Sequence, residues 1–123
     1  MGVASPELMA ETFITLFNER DGAGVLALYE ADAVYTFDGK TKAVGIEQIK
    51  AAFDGVLAGP MKLSGAYEEV YVAGDTALCR LKWEMRGADG WIESDGVSVE
   101  VQKRGSDGLW RFKIDDATGG SRA

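Results

Sequence analysis

Three stretches hold the carboxylates whose surroundings could give them chemistry: "YEADAVYTFDGK" at 29–40, "WIESDGVSVEV" at 91–101 and "WRFKIDDAT" at 110–118. Asp38 ends an apolar run and precedes Gly39. It is either a base at a pocket mouth, with Tyr35 and Phe37 on the wall, or a turn residue, since Asp-Gly is itself a turn signal. Glu93 and Asp95 share the odd-numbered face of a strand with Trp91, Val97, Val99 and Val101. If that face is inward, desolvation and mutual repulsion raise at least one carboxyl pKa toward neutrality and create a general acid or base. If Gly96 marks a bulge, or the pair lies at a wet hairpin end, both acids turn to water. In the last stretch Trp110, Phe112, Ile114 and Asp116 share a face, which points Asp116 toward the pocket and Asp115 away. Tyr67 and Tyr71, with Glu69 between them on the same face, line either the pocket or a dimer surface. The candidate acid-base groups are Asp38, Glu93, Asp95 and Asp116.

The rest of the composition narrows what these groups can do. There is no histidine and one cysteine, Cys79, so Ser-His-Asp and Cys-His catalysis, imidazole-based zinc sites and an internal disulfide lack their ingredients. Carboxylates, Tyr, Lys, Arg and one thiol remain for proton transfer, and only oxygen-bound Mg2+ or Ca2+ is compatible with the residues present. No metal and no cofactor is expected. Cys79, between Ala77 and Leu81 on an apolar face, reads as a small buried hydrophobe. "GAGVLA" fits a dinucleotide-type glycine pattern but follows a helix, with no β-α-β unit around it, and is set aside. A net charge of −7 repels nucleic acid, whose binding needs a basic face. No apolar run is long enough to span a membrane. "MGVASPELMAETF" lacks a signal-peptide core, and Pro6 stands where myristoylation wants Ser or Thr, so a cytoplasmic location is expected.

At 123 residues, with 46% hydrophobic and 27% charged residues, the chain has the size and composition of one folded domain, 1–123, with 118–123 expected to fray. Ser5-Pro6-Glu7 opens a helix to about Glu19 that carries Met9, Phe13, Leu16 and Phe17 on one face. Asp21 caps a second, short helix through Val25, Leu26, Leu28 and Tyr29. A strand Ala33–Phe37 follows. Ile46, Ile49, Phe53, Val56 and Leu57 recur at helical spacing until Gly59-Pro60 stops a third helix. After Pro60 the period becomes two, and strands at 61–73, 76–86, 91–104 and 109–116 are joined by "GD", "GADG" and "GSDG". In "ALCRLKWEMR" Ala77, Cys79, Leu81, Trp83 and Met85 face one way and Arg80, Lys82, Glu84 and Arg86 the other, so one face is core. Strands this long twist and bulge. The order of elements predicts an α+β domain: three N-terminal helices packed in a strongly curved antiparallel sheet, forming a cone with one pocket.

That order, carried by "LMAETFITLFNERDGAGVLALYEADAVYTF", "GIEQIKAAFDGVLAG" and "DGLWRFKIDDAT", resembles the nuclear transport factor 2-like superfamily, cystatin-like in fold, and within it the ketosteroid isomerase and SnoaL-like branch. The resemblance implies a pocket for a flat apolar molecule, and for the isomerases a carboxylate base at the end of the first strand with a tyrosine and a protonated aspartic acid opposite. This chain departs from that set: Phe37 stands at the base, Thr12 near the tyrosine, and Ser98, between Val97 and Val99, near the acid.

The expected pocket wall is Phe13, Phe17, Tyr35, Phe37, Phe53, Trp83, Met85, Trp91, Val97, Val99 and Phe112. Three readings stay open. The first is a cofactor-free enzyme performing proton transfer, ring closure or hydration on a small apolar, polyketide-like or steroid-like molecule, with the four carboxylates as candidates. The second is a binder that holds such a molecule unchanged. The third is a dimerising interaction domain. A homodimer through the sheet is expected, with the outer row Arg80, Lys82, Glu84 and Arg86 pairing by complementary charge.

Overall fold

In a computed structural model, which describes residues 1–122, the helices form where start and stop signals put them. A 3-10 turn, Pro6–Leu8, runs into α1, Met9–Asn18. Asp21 caps α2, Gly22–Leu26, by accepting from the Gly24 amide at 2.8 Å. Helix α3, Ile46–Ala58, ends at Gly59. The strands are β1 Tyr29–Thr36, β2 Lys42–Val44, β3 Lys62–Ala73, β4 Thr76–Arg86, β5 Ile92–Val97, β6 Val99–Arg104 and β7 Trp110–Asp116. Tyr29 thus belongs to a first strand longer than expected, and the short β2 has no counterpart among the expected elements. The expected strand 91–104 is interrupted at Ser98, although from Ser94 onward β5 and β6 keep one register against β4. Among the described residues no helix is long and apolar enough to cross a membrane.

The sheet order is β2-β1-β7-β6-β4-β3, with β5 also on β4. Every pairing is antiparallel except β1 with β7. The helices fill the concave side. Met9, Phe17, Val25, Ile49 and Phe53 pack there against Ala77, Cys79, Leu81, Trp83, Trp110 and Phe112 of the sheet. Burial pushes the Cys79 thiol up to about 12, so it behaves as an apolar filler.

Three irregularities decide which side chains face inward. Between Val101 and Gln102 the partner on β7 jumps from Ile114 to Phe112, leaving Lys113 as an extra residue. A bulge reverses the alternation beyond it, so Phe112 and Asp115 both face the core while Ile114 faces out. Likewise the register shifts between Tyr67 and Glu69: Tyr67 packs against the core while Glu69 and Tyr71 are exposed. Across β4 and β5 the partner jumps from Ile92 to Ser94 between Arg86 and Met85, leaving Glu93 as an extra residue, and beyond it the even-numbered Ser98, Glu100 and Gln102 lie inside.

The segment expected to fray is tied down through residue 122; Ala123 lies outside the described residues. Residues 117–121 form turns. The Gly120 amide donates to Val97 O at 2.9 Å, the Thr118 hydroxyl to Phe37 O at 2.5 Å, and Arg122 grips Asp116 through two bonds of 2.6 and 2.8 Å. The folded-back end therefore fixes the tip of β1 where the cavity opens.

Candidate functional site

Between the helices and the concave sheet lies a cavity of about 80 Å3. On a water-sized probe that is room for roughly five to eight waters, or a molecule of about one ring. Its apolar wall comes from every layer: Phe13 and Phe17 from α1, Phe53 and Val56 from α3, Leu63 from β3, Leu81, Trp83 and Met85 from β4, and Phe112 from β7. Tyr35 and Phe37 close the β1 side. The aromatic rings brace one another, with Phe13 edge-on to Phe53 and Phe112 at 5.9 Å each and Tyr35 at 4.8 Å from Phe53. Such ring pairs add about 0.5–1.5 kcal/mol beyond burial. At the rim the Trp83 indole N–H donates to Ala117 O at 2.7 Å, and the half-exposed Phe37 tilts over Trp83 at 5.9 Å.

Three polar residues meet this apolar chamber: Ser98, Glu100 and Asp115. Glu100 on β6 and Asp115 on β7 are directly opposite each other across the ladder. Their exposures are 3% and 7%. Two carboxylates so placed must be hydrogen-bonded, or share a proton, to be tolerated. Tyr29 supplies one bond, its hydroxyl donating to Asp115 Oδ2 at 2.5 Å. Tyr67 and Ser98 supply two more, to Glu100 Oε1 at 2.6 Å and Oε2 at 2.7 Å. Behind them the Leu81 amide donates to Ser98 Oγ at 3.2 Å, and the buried Gln102 amide donates to Tyr67 Oη at 3.3 Å.

Burial dominates the protonation of this floor. It pushes Glu100 up to about 8, with repulsion from Asp115 adding and the Tyr67 and Ser98 bonds opposing. It pushes Asp115 up to about 6, the Tyr29 bond opposing and the Asp116 charge adding. The two titrate together, and near neutral pH the pair holds one proton. Burial, reinforced by Asp115 and Glu100 respectively, raises the Tyr29 and Tyr67 hydroxyls well above the ordinary tyrosine value, so both stay donors. A group that can give a proton and one that can take it thus sit side by side under an apolar roof.

The carboxylates singled out from the sequence lie elsewhere. Asp38 is exposed in the turn after β1, where its Oδ1 accepts from the Lys40 and Thr41 amides at 2.8 and 2.9 Å. The Thr41 and Lys40 bonds hold its carboxyl below the usual range. Asp95 is exposed because the odd-numbered face of β5 and β6 beyond the bulge is the outer one, and Glu93 is exposed as the extra residue of that bulge. The inward residues are Ser98, Glu100 and Gln102, opposite Leu81, Cys79 and Ala77. The half-buried Val97 and Val99 lie on that outer face, and Trp91, 75% exposed, precedes β5 at the hairpin end, so none of the three lines the chamber. Asp116 turns away from the chamber, and its ion pair with Arg122 holds its carboxyl low. Thr12 is spent on a bond to Leu8 O.

Glu100 and Asp115 were both missed by sequence reasoning. The hairpin after β4 closes with the Gly87 amide donating to Trp91 O and with Arg86 opposite Ile92, a register that pairs odd with odd positions. Only the shift between Ile92 and Ser94, with Glu93 as the extra residue, sets the apolar odd face of β4 beside the even face of the next strand and puts Glu100 inward. Asp115 needed the Lys113 bulge in the same way, and no turn residue announces either.

Residues 10–117 match the SnoaL-like domain family. No protein of curated function matches the sequence. Among solved structures, a putative calcium/calmodulin-dependent protein kinase type II association domain from Thiobacillus denitrificans superposes with a TM-score of 0.82 at 15% identity, covering 96% of this chain and 97% of that one. A ketosteroid isomerase-like protein from Erwinia carotovora atroseptica gives 0.70 at 22% identity, covering 92% of each chain. An NTF2-like protein with a cystatin-like fold from Novosphingobium aromaticivorans gives 0.74 at 25%, covering 95% and 80%. With a matched segment running from α1 to the end of β7 and the same cone of helices in a curved sheet, this chain belongs to the SnoaL-like domain family.

Proposed function

We propose that the protein binds a small, largely apolar molecule of about one ring in the chamber and moves a proton on it with the Glu100–Asp115 pair. The observation that carries this reading is two adjacent, buried, hydrogen-bonded carboxyls at the floor of an aromatic cavity. A carboxyl group kept protonated there can donate a hydrogen bond to a carbonyl oxygen of the ligand, while its ionised neighbour removes a proton from the adjacent carbon. Returning the proton to another carbon gives an isomerase, and returning it after ring closure gives a cyclase. The likeness to a ketosteroid isomerase-like protein supports the reaction class, although this chain carries Thr12, Phe37 and Ser98 where the resemblance implies the tyrosine, the base and the protonated acid.

A direct test follows deuterium incorporation next to the carbonyl of 3-cyclohexen-1-one in heavy water by NMR. The expected result is catalysed exchange that falls about 100-fold in the Glu100→Gln, Asp115→Asn double variant, within the usual range for acid-base groups. Equal rates for wild type and double variant would leave a binder without turnover.

A second reading, that the sheet's outer face pairs two copies of the chain, has its own support. Successive directly opposed residues on that face are Val44, Val34, Ile114, Val101, Leu78 and Tyr71, one from each of β2, β1, β7, β6, β4 and β3. Four of them are exposed. At strand spacing this apolar row is roughly 25 Å long. Arg80 and Lys103 flank it, one on each side, and Asp32 and Glu69 bring the opposite sign, so a two-fold mate can pair charge with charge. The row, more than the polar one of Arg80, Lys82, Glu84 and Arg86, supplies the apolar centre of such a contact. Analytical ultracentrifugation is expected to give a dimer at micromolar concentration and a monomer for Leu78→Lys. A wild-type monomer would end the dimer reading.

A further inference from the structure

Outside the chamber, between the β1–β2 turn and α3, lies a groove of about 370 Å3. It shares Tyr35, Phe37 and Val56 with the chamber, so these three side chains are a party wall between two compartments. The chamber alone suits one ring, and the groove is several times larger.

The polar groups of the groove are unbalanced toward donors. Gln48 accepts the Val44 amide through Oε1 at 2.8 Å, which leaves its amide N–H2 without a partner among the described residues. Lys42 and the Thr41 hydroxyl likewise have none among the described residues. The one carboxylate, Asp38, is already engaged by two turn amides and lies within the field of Arg122. Among the described residues the Lys42 ammonium is therefore the charge in the groove with no ion-pair partner, on a chain whose net charge is −7.

We propose that chamber and groove are one bipartite ligand site: a ring-sized head meets Glu100 and Asp115, and a tail ending in a carboxylate crosses Phe37 to Lys42 and Gln48. This rests on the proposed function for the head and extends it to the tail. Phe37 is the threshold between the two parts; its ring packs on Trp83 yet is 41% exposed, so it can cover an aliphatic linker on one side and the chamber on the other. The substrate class is then a small cyclic enol, phenol or enone bearing a short acidic chain. The tail's charge would be read at a distance from the chemistry, which is how remote binding energy positions a reacting group.

The test compares phenol, 4-(4-hydroxyphenyl)butanoate and the corresponding butanamide by isothermal titration calorimetry. The butanoate is expected to bind about tenfold more tightly than the amide, and that ratio is expected to fall to about two in Lys42→Ala. In Ala52→Trp, which fills the groove from α3, both tailed probes are expected to lose their advantage over phenol. Phenol binding with no gain from either tail would overturn the groove and leave the chamber standing. A tenfold ratio that survives Lys42→Ala would overturn the assignment of Lys42. No binding of phenol or of either tailed probe would overturn the head site and with it the bipartite proposal.

Discussion

Raising the pH from 5 to 9 lowers the unfolding free energy by a few kcal/mol, and Glu100→Gln removes most of that decline. The cause is the proton held at the cavity floor. Glu100 and Asp115 have ordinary values of 4.5 and 3.8, and folding pushes them up to about 8 and about 6. A folded state that binds more protons than the unfolded one loses stability as the pH rises. The stabilisation from holding these protons is fully present below the ordinary values, declines as the unfolded chain ionises and the native pair does not, and is gone once the pH passes about 8. A tenfold change in proton affinity corresponds to about 1.4 kcal/mol, so the full effect is on the order of a few kcal/mol. The exposed carboxylates held low by partners, such as Asp107 at about 2 beside Arg111, act at more acid pH and leave this window untouched. Gln at 100 keeps an acceptor for Tyr67 or Ser98 and never ionises, so the variant is expected to be the more stable protein at pH 9 by roughly 2 kcal/mol. Urea unfolding at several pH values measures this; parallel profiles for the two proteins would show that Glu100 is not the group responsible.

Phe112→Ala is expected to cost about 4 kcal/mol. The ring is 2% exposed, lies 4.8 Å from Tyr29 and 5.9 Å from Phe13, and forms part of the chamber wall. Removing a buried aromatic side chain loses both its transfer free energy and the contacts around the enlarged cavity, typically about 3–5 kcal/mol. Because the chamber already adjoins the site, little of the new space can be refilled by collapse. Trp91→Ala provides the contrast: at 75% exposed it is expected to change stability by less than about 0.5 kcal/mol. Urea midpoints at constant m-value decide both. A Phe112→Ala loss below about 1.5 kcal/mol, far short of a buried aromatic's usual cost, would mean that the chamber wall does not hold the helices to the sheet.

The helices were legible because their signals are local. Pro6 at a first turn, Asp21 before Gly24 and Gly59-Pro60 at a stop each act within a few residues. The long strand Thr76–Arg86 was legible for the same reason, since from Cys79 to Arg86 apolar and charged residues alternate strictly. The helix-and-strand order, and with it the family, followed. The site was less legible because it depends on which face of a strand turns inward, and a shift of one residue reverses that. Glu93 and Asp95 are conspicuous beside Trp91, yet Glu100, less conspicuous between Val99 and Val101, is the one inside. The bulge at Glu93 is what turns the even-numbered face inward beyond it. Asp115 and Asp116 are adjacent and identical in type, and only the bulge at Lys113 selects between them. Tyr67 depended on the register shift in β3 in the same way. Long, bent strands are what make the cone, and they are also what hide its floor from a simple count of odd and even positions.

The acid-base chemistry of the chamber depends on one proton sitting between Glu100 and Asp115 at neutral pH. The most direct measurement is a 13C NMR titration of side-chain carboxyl carbons, with assignment by Glu100→Gln and Asp115→Asn. The expected result is a pair of signals that move together above about pH 5 and finish titrating near pH 8, with either substitution lowering the value of the remaining partner. If every carboxyl carbon completes its titration by about pH 5, in the ordinary carboxylate range, the floor holds no shared proton and the acid-base account of the cavity is wrong.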